Sequence, residues 1–131
     1  MVTIELTTVN RSSGGMEAQL SFKKPDGSYY CRSYFREHLK ADSKQRQELK
    51  AVAAGLSAIN CPAHVICNVH QSHVKAAINQ GWWKLWKNCG WKNQKGRLVR
   101  DWELWREIAE LAEKKSLIIS GGKDEFDRTT I

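Results

Sequence analysis

Six tryptophans, Trp82, Trp83, Trp86, Trp91, Trp102 and Trp105, fall within a single stretch of the chain. Among them stand Lys84, Lys87, Lys92, Lys95, Arg97 and Arg100, and no acidic residue lies between Trp82 and Arg100. Those cations nearly equal the formal excess of the whole chain, 21 basic against 14 acidic residues, or +7. Cations spaced between large rings suit a polyanion: they neutralise phosphates while the rings pack beneath them or stack on bases. The plainer reading is a solvated helix face whose tryptophans lie in the core, with Trp86, Trp91 and Trp105 packed together as the base of a basic arm. Ser43, Lys44 and Arg46 form a second set, because a helix beginning there would present its N-terminus to a phosphate. A capping role for Ser43 would explain that residue equally well.

The elements that must position these groups follow from size and pattern. A chain of 131 residues with 41% hydrophobic and 27% charged content reads as one globular domain able to bury its own core. No apolar run approaches the roughly 20 residues of a membrane span, and no leader segment is visible, so no membrane partner is expected. Cys31, Cys61, Cys67 and Cys89 lack zinc-ligand spacing and read as reduced thiols of a cytoplasmic protein. The sequence does not set the oligomeric state.

Val2, Ile4 and Leu6 alternate with polar residues as in a half-buried strand, until the polar stretch from Asn10 to Gly15. Ala18, Leu20 and Phe22 alternate again, Pro25 to Ser28 make a hairpin turn, and Tyr30 to Phe35 form the return strand. Asp42 or Ser43 can cap a helix, Gln45 suits a capping box with Asp42, and Leu49, Val52, Ala53, Leu56 and Ile59 repeat on one helical face up to Cys61-Pro62. His64 to Val69 reads as a buried strand and His73 to Gln80 as a short helix. After the tryptophan stretch, Asp101 is placed to cap a helix carrying Leu104, Trp105, Ile108, Leu111 and Ala112 inward. Leu117 to Ile119 form a last strand, and Gly121-Gly122 lead into a short acidic tail expected to hold a helical turn. The order β-β-β-α-β-α-α-α-β predicts an α/β domain: a five-stranded mixed sheet, antiparallel at first and then parallel, flanked by helices.

That order, together with Gln47-Glu48-Leu49, His73-Val74, the spacing Trp82-(x3)-Trp86-(x4)-Trp91 and Glu103-Leu104-Trp105, resembles the type 1 ribonuclease H family over essentially the whole chain. The resemblance implies a ribonuclease H-like fold and a basic protrusion that grips the DNA strand of an RNA/DNA hybrid. It also implies two divalent ions held by four carboxylates. On this chain those positions fall on Thr7 (or Thr8, one register on), Glu48, His70 and Asp127, and the family's histidine loop is reduced to Ser120-Gly121-Gly122-Lys123. Two ions about 4 Å apart need several carboxylates to offset their repulsion. Glu48 and Asp127 supply about half of that charge, Thr7 offers a neutral hydroxyl, and His70 suits softer metals than Mg²⁺.

The expectation is therefore a nucleic-acid-binding protein, engaging RNA/DNA hybrid or other duplex through the arm, that has lost two-metal hydrolysis. No cofactor and no Mg²⁺ site are expected, with Glu48, His70 and Asp127 the candidates for weak Mn²⁺ or Mg²⁺ binding. Asn10, beside the former metal position, and Ser43 with Lys44 are further candidates for sugar or phosphate contact. The alternatives are a residual Mn²⁺-preferring ribonuclease and a protein-interaction module built on the arm.

Overall fold

The computed structural model describes residues 2–122, so Asp127 and the expected terminal turn lie outside the described residues. The elements are β1 (Val2–Asn10), β2 (Met16–Lys23), β3 (Tyr29–Tyr34), α1 (Lys44–Ala58), β4 (Ala63–Asn68), α2 (Ser72–Asn79), α3 (Trp82–Asn88), α4 (Trp102–Lys115) and β5 (Leu117–Gly121). They build one sheet in the order β3-β2-β1-β4-β5. β1 and β2 are antiparallel, as are β2 and β3, while β4 runs parallel to both β1 and β5. The mixed α/β architecture predicted from the sequence is the one observed.

Alternation along the strands decides which face is covered. Leu6 stands beside Leu20 and Cys67, and Val65 beside Ile4 and Ile119, all buried. This apolar face receives the helices: α1 crosses β1, β2 and β3, and α2 and α4 reach β5. Residues of the other parity, including Thr3, Glu5 and Ile118 (52% exposed), line the opposite face. Gly55 lets α1 lie close on the sheet, because a Cβ there would sit 2.8 Å from Leu6 Cδ1 and 3.0 Å from Ala18 Cβ.

Two expected helix caps take other roles. Ser43 is the N-cap of α1, its Oγ accepting from the Arg46 backbone N–H at 3.1 Å. Gln45 forms no capping box with Asp42; its amide donates to Asp101 Oδ2 at 3.1 Å. Asp101 precedes α4 in a left-handed conformation (φ 58°) and makes no side-chain cap. Its carboxylate instead accepts from Gln45 and Arg46 of α1, a tie across 55 and 56 residues that outcompetes the local cap. At the far end of both helices, Lys115 Nζ donates to the carbonyls of Ser57 (2.6 Å), Ile59 (2.8 Å) and Leu56 (3.3 Å), the last of which also accepts from the Ile59 N–H.

Candidate functional site

Two regions hold the residues singled out by the sequence. The first lies where the C-terminal ends of β1 and β4 meet the start of α1. Inward alternation on β1 runs Ile4, Leu6, Thr8, so Thr8 faces α1 and Thr7 faces the other side of the sheet. Of the two threonines left open by the sequence, Thr8 is therefore the one that stands beside Glu48. Thr7 Oγ1 instead accepts from the Asn68 amide at 3.2 Å. Thr8 Oγ1 donates to Glu48 Oε2 at 2.7 Å. The same oxygen accepts from the His70 backbone N–H at 2.8 Å, and Oε1 accepts from the Gln71 N–H at 3.0 Å.

Thr8 and Glu48 are both fully buried. A carboxylate with no solvent survives only if protein donors replace its hydration, and here a hydroxyl and two amides do so. The His70 ring makes a separate bond, its Nε2–H donating to the Thr8 carbonyl at 2.7 Å. That bond fixes the tautomer, leaving Nδ1 unprotonated. Burial, and secondarily the Glu48 charge, push the neighbouring Cys67 thiol up to about 12, so it stays protonated.

The described part of this site offers hard divalent ions few free oxygens. Such ions need several oxygens with free lone pairs, and Glu48 has both oxygens engaged by protein donors while Thr8 presents its proton to Glu48. Among the described residues, no three His, Cys, Asp or Glu side chains stand together at metal-binding spacing.

At the rim of this region Lys44 Nζ donates to Asn10 Oδ1 at 3.1 Å, so these two candidates are brought together and both are exposed. Ser43 is occupied as a cap. Arg46 is held by Asp101 (3.0 Å), Glu103 (2.6 Å) and, more loosely, Asp42 (3.5 Å), which commits its charge within the protein. Asp42 also receives Lys50 at 2.6 Å, and that bond leads the interactions holding its carboxyl below the usual range.

The second region is the arm. Trp86 is its hub, stacked on His73 at 5.9 Å, tilted against Trp82 at 6.3 Å and edge-on to the fully buried Trp105 at 5.7 Å. Trp91, 9% exposed, ties to the end of α3 through its backbone: its N–H donates to the Trp86 carbonyl at 2.8 Å, with Gly90 left-handed before it. From there residues 92–98 fold as a small hairpin. Asn93 Oδ1 accepts the Lys95 and Arg97 amides and Gly96 takes φ 77°, which closes the turn.

All six cations of the arm are exposed, yet the structure divides them. The helical period puts Trp83, Lys84, Lys87 and Asn88 on one side of α3, facing α4, where Lys87 pairs with Glu113. Trp82, Leu85, Trp86 and Cys89 occupy the other side. With Lys92, Asn93, Gln94 and Lys95 of the hairpin they line a cleft of about 710 Å³ that contains no carboxylate. Asn93 and Glu113 were missed by sequence reasoning. An asparagine followed within three residues by glycine was a readable turn signal for the first; nothing local marked the second.

The RNase H family model matches residues 8–120. A ribonuclease H of Hyphomonas neptunium is 32% identical over 77 residues, which is 59% of this chain and 51% of that protein. The chain spans about half the length of the first curated relatives it matches. Among solved structures, LC9-RNase H1, a type 1 RNase H with the type 2 active-site motif, superposes with a TM-score of 0.67 at 14% identity, covering 95% of this chain and 64% of that one. A foamy viral protease-reverse transcriptase in complex with RNA/DNA hybrid superposes with a TM-score of 0.61 at 14% identity, over 98% of this chain and 18% of that one.

Proposed function

The chain belongs to the RNase H family, and from that premise we propose a domain that binds nucleic acid duplex, RNA/DNA hybrid foremost, without two-metal hydrolysis. One observation carries the loss of hydrolysis: Glu48 is fully buried and spends its carboxylate on Thr8 and on the amides of His70 and Gln71. A carboxylate so used fastens β1 to the β4–α2 turn and leaves too little free anionic oxygen for hard cations. Glu48 and Asp127 are remnants of the family's ligand set on this reading, with Thr8 and His70 at the other two positions.

Binding falls to the arm. The cleft walled by Trp82 and Trp86 and flanked by Lys92 and Lys95 offers ring surface beside unpaired cations, the pairing that a sugar-phosphate strand needs. Arg97 and Arg100 are further exposed cations of the same stretch, Lys84 stands on the opposite side of α3, Lys87 contributes less because Glu113 holds it, and Asn10 with Lys44 gives a separate contact at the rim of the β1–α1 site. Hybrid is put first because the foamy viral neighbour is described with that ligand. The free thiols suit a reducing, cytoplasmic setting.

The test is a fluorescence titration of hybrid across a salt series. Lys92→Glu with Lys95→Glu should weaken binding across all sequences and flatten the log–log salt slope by roughly 2, about one per lost phosphate contact. Lys84→Glu with Lys87→Glu should do so by less. Unchanged affinity in both pairs would end the proposal. Cleavage of hybrid RNA in Mn²⁺ that vanishes in Glu48→Ala would replace it with a residual nuclease. A protein-docking reading is favoured by Leu85 (61% exposed) and Leu98 (54% exposed) on the arm; capture of a partner that survives nuclease treatment would support it.

A further inference from the structure

Away from both regions, a cleft of about 260 Å³ opens between the β2–β3 hairpin and the C-terminal end of α1. It lies ten residues along α1 from Glu48, about 15 Å at the helical rise. Its floor is aliphatic, with Ile4, Leu20 and Ile59, and three rings, Phe22, Tyr30 and Tyr34, also line it, those of Phe22 and Tyr30 standing 5.1 Å apart at 34°. Two cations border those rings, Lys24 with Nζ 5.6 Å and Arg32 with Cζ 5.5 Å from the Tyr30 centroid. Neither has a carboxylate partner among the described residues, and no acidic side chain lines the cleft. The nearby acid, Asp26, is spent inside the hairpin turn on the Ser28 amide and hydroxyl. Asn60 at the rim adds an amide able both to donate and to accept.

Three rings, cations uncommitted to any acid among the described residues, and one amide form a set that suits a base and its flanking phosphates better than an acidic peptide. A paired base could not enter, since its edge and both faces are engaged in the duplex. We propose that this cleft takes an unpaired nucleobase, so that the domain holds a single-stranded tail at the β3 edge while the arm holds the duplex. This rests on the duplex-binding reading above and extends it to a substrate class, the tailed duplex. Lys24 and Arg32 would sit on the phosphates, with Phe22, Tyr30 and Tyr34 against the base.

The experiment compares three probes: a blunt hybrid, the same hybrid with a single-stranded tail of roughly 4 to 16 nucleotides, and the free tail. The tail should raise affinity about tenfold, the worth of one stacked base. Lys24→Glu with Arg32→Glu should erase that gain and leave blunt binding and the melting temperature unchanged. A bromouracil-substituted tail should crosslink to Tyr30 or Tyr34. The inference is overturned if the tail adds nothing, if the double variant keeps the gain, or if crosslinks map to Trp82 or Trp86. If blunt hybrid fails to bind but the free tail binds through Lys24 and Arg32, the duplex reading falls and the cleft stands.

Discussion

Replacing Glu48 with glutamine is the sharpest test of what this carboxylate does. Three donors converge on it, at 2.7, 2.8 and 3.0 Å, and it has no solvent. Glutamine matches the shape but carries one acceptor oxygen. With that oxygen kept toward Thr8 and His70, the new NH₂ faces the Gln71 amide, donor against donor. Hydrogen bonds to a charged group are worth about 1.5–3 kcal/mol against about 1 for neutral ones, and a buried unsatisfied donor costs about 1–3 kcal/mol. Relief from burying a charge returns part of this, leaving a net loss of about 2–3 kcal/mol. For a chain of this length that lowers the melting temperature by about 8–12 °C, measurable by calorimetry with a urea titration beside it. A carboxylate kept for metal binding behaves oppositely, because neutralising it removes strain from the site and raises stability. A Glu48→Gln variant as stable as the parent, or more so, would refute the reasoning.

Gly55→Ala should gain about 1 kcal/mol from helix propensity and lose more from overpacking, about 1–3 kcal/mol, because its Cβ would meet Ala18 Cβ at 3.0 Å; a rise in urea midpoint would count against the close α1–sheet approach. Lys115→Met should cost about 1–2 kcal/mol by freeing the Ser57 and Ile59 carbonyls, with faster amide exchange at the end of α1 as the local sign. Acid should loosen the ion pairs that fasten the segment before α1 to α1, and both of them to α4. Asp42 (through Lys50 first), Glu103 (through its own backbone amide, then Arg46) and Glu107 (through Arg36) are all held below their ordinary values. Their contribution is therefore present above the ordinary carboxylate range and is lost as pH falls through the lowered folded-state values. Arg36→Met should flatten that acid limb; an unchanged slope would exclude the Arg36–Glu107 pair from it.

The sequence was most readable where local pattern and burial agree. The repeat Leu49, Val52, Ala53, Leu56, Ile59 became the covered face of α1, and Pro25 to Ser28 became a turn with Gly27 at φ 91°. The site was harder. Two adjacent threonines competed for one role, although carrying the Ile4, Leu6 alternation two residues on lands on Thr8. Asp101 looked like a cap because its partners on α1 lie 55 and 56 residues away, and no local pattern encodes such a tie. Lys87 looked like a free phosphate ligand for the same reason, its partner Glu113 being 26 residues on. The tryptophan stretch marked where aromatic rings and cations would gather, but their division between two sides came only with the helical phase of α3.

The turn after β4 has a consequence for motion. A strand-to-helix turn at the rim of a sheet is ordinarily among the first segments to open, exchanging its amide protons with water long before the core does. Here the amides of His70 and Gln71 are anchored on Glu48 in the centre of the fold. They should exchange only when β1, α1 and β4 separate together, so this rim would report global unfolding instead of local fraying.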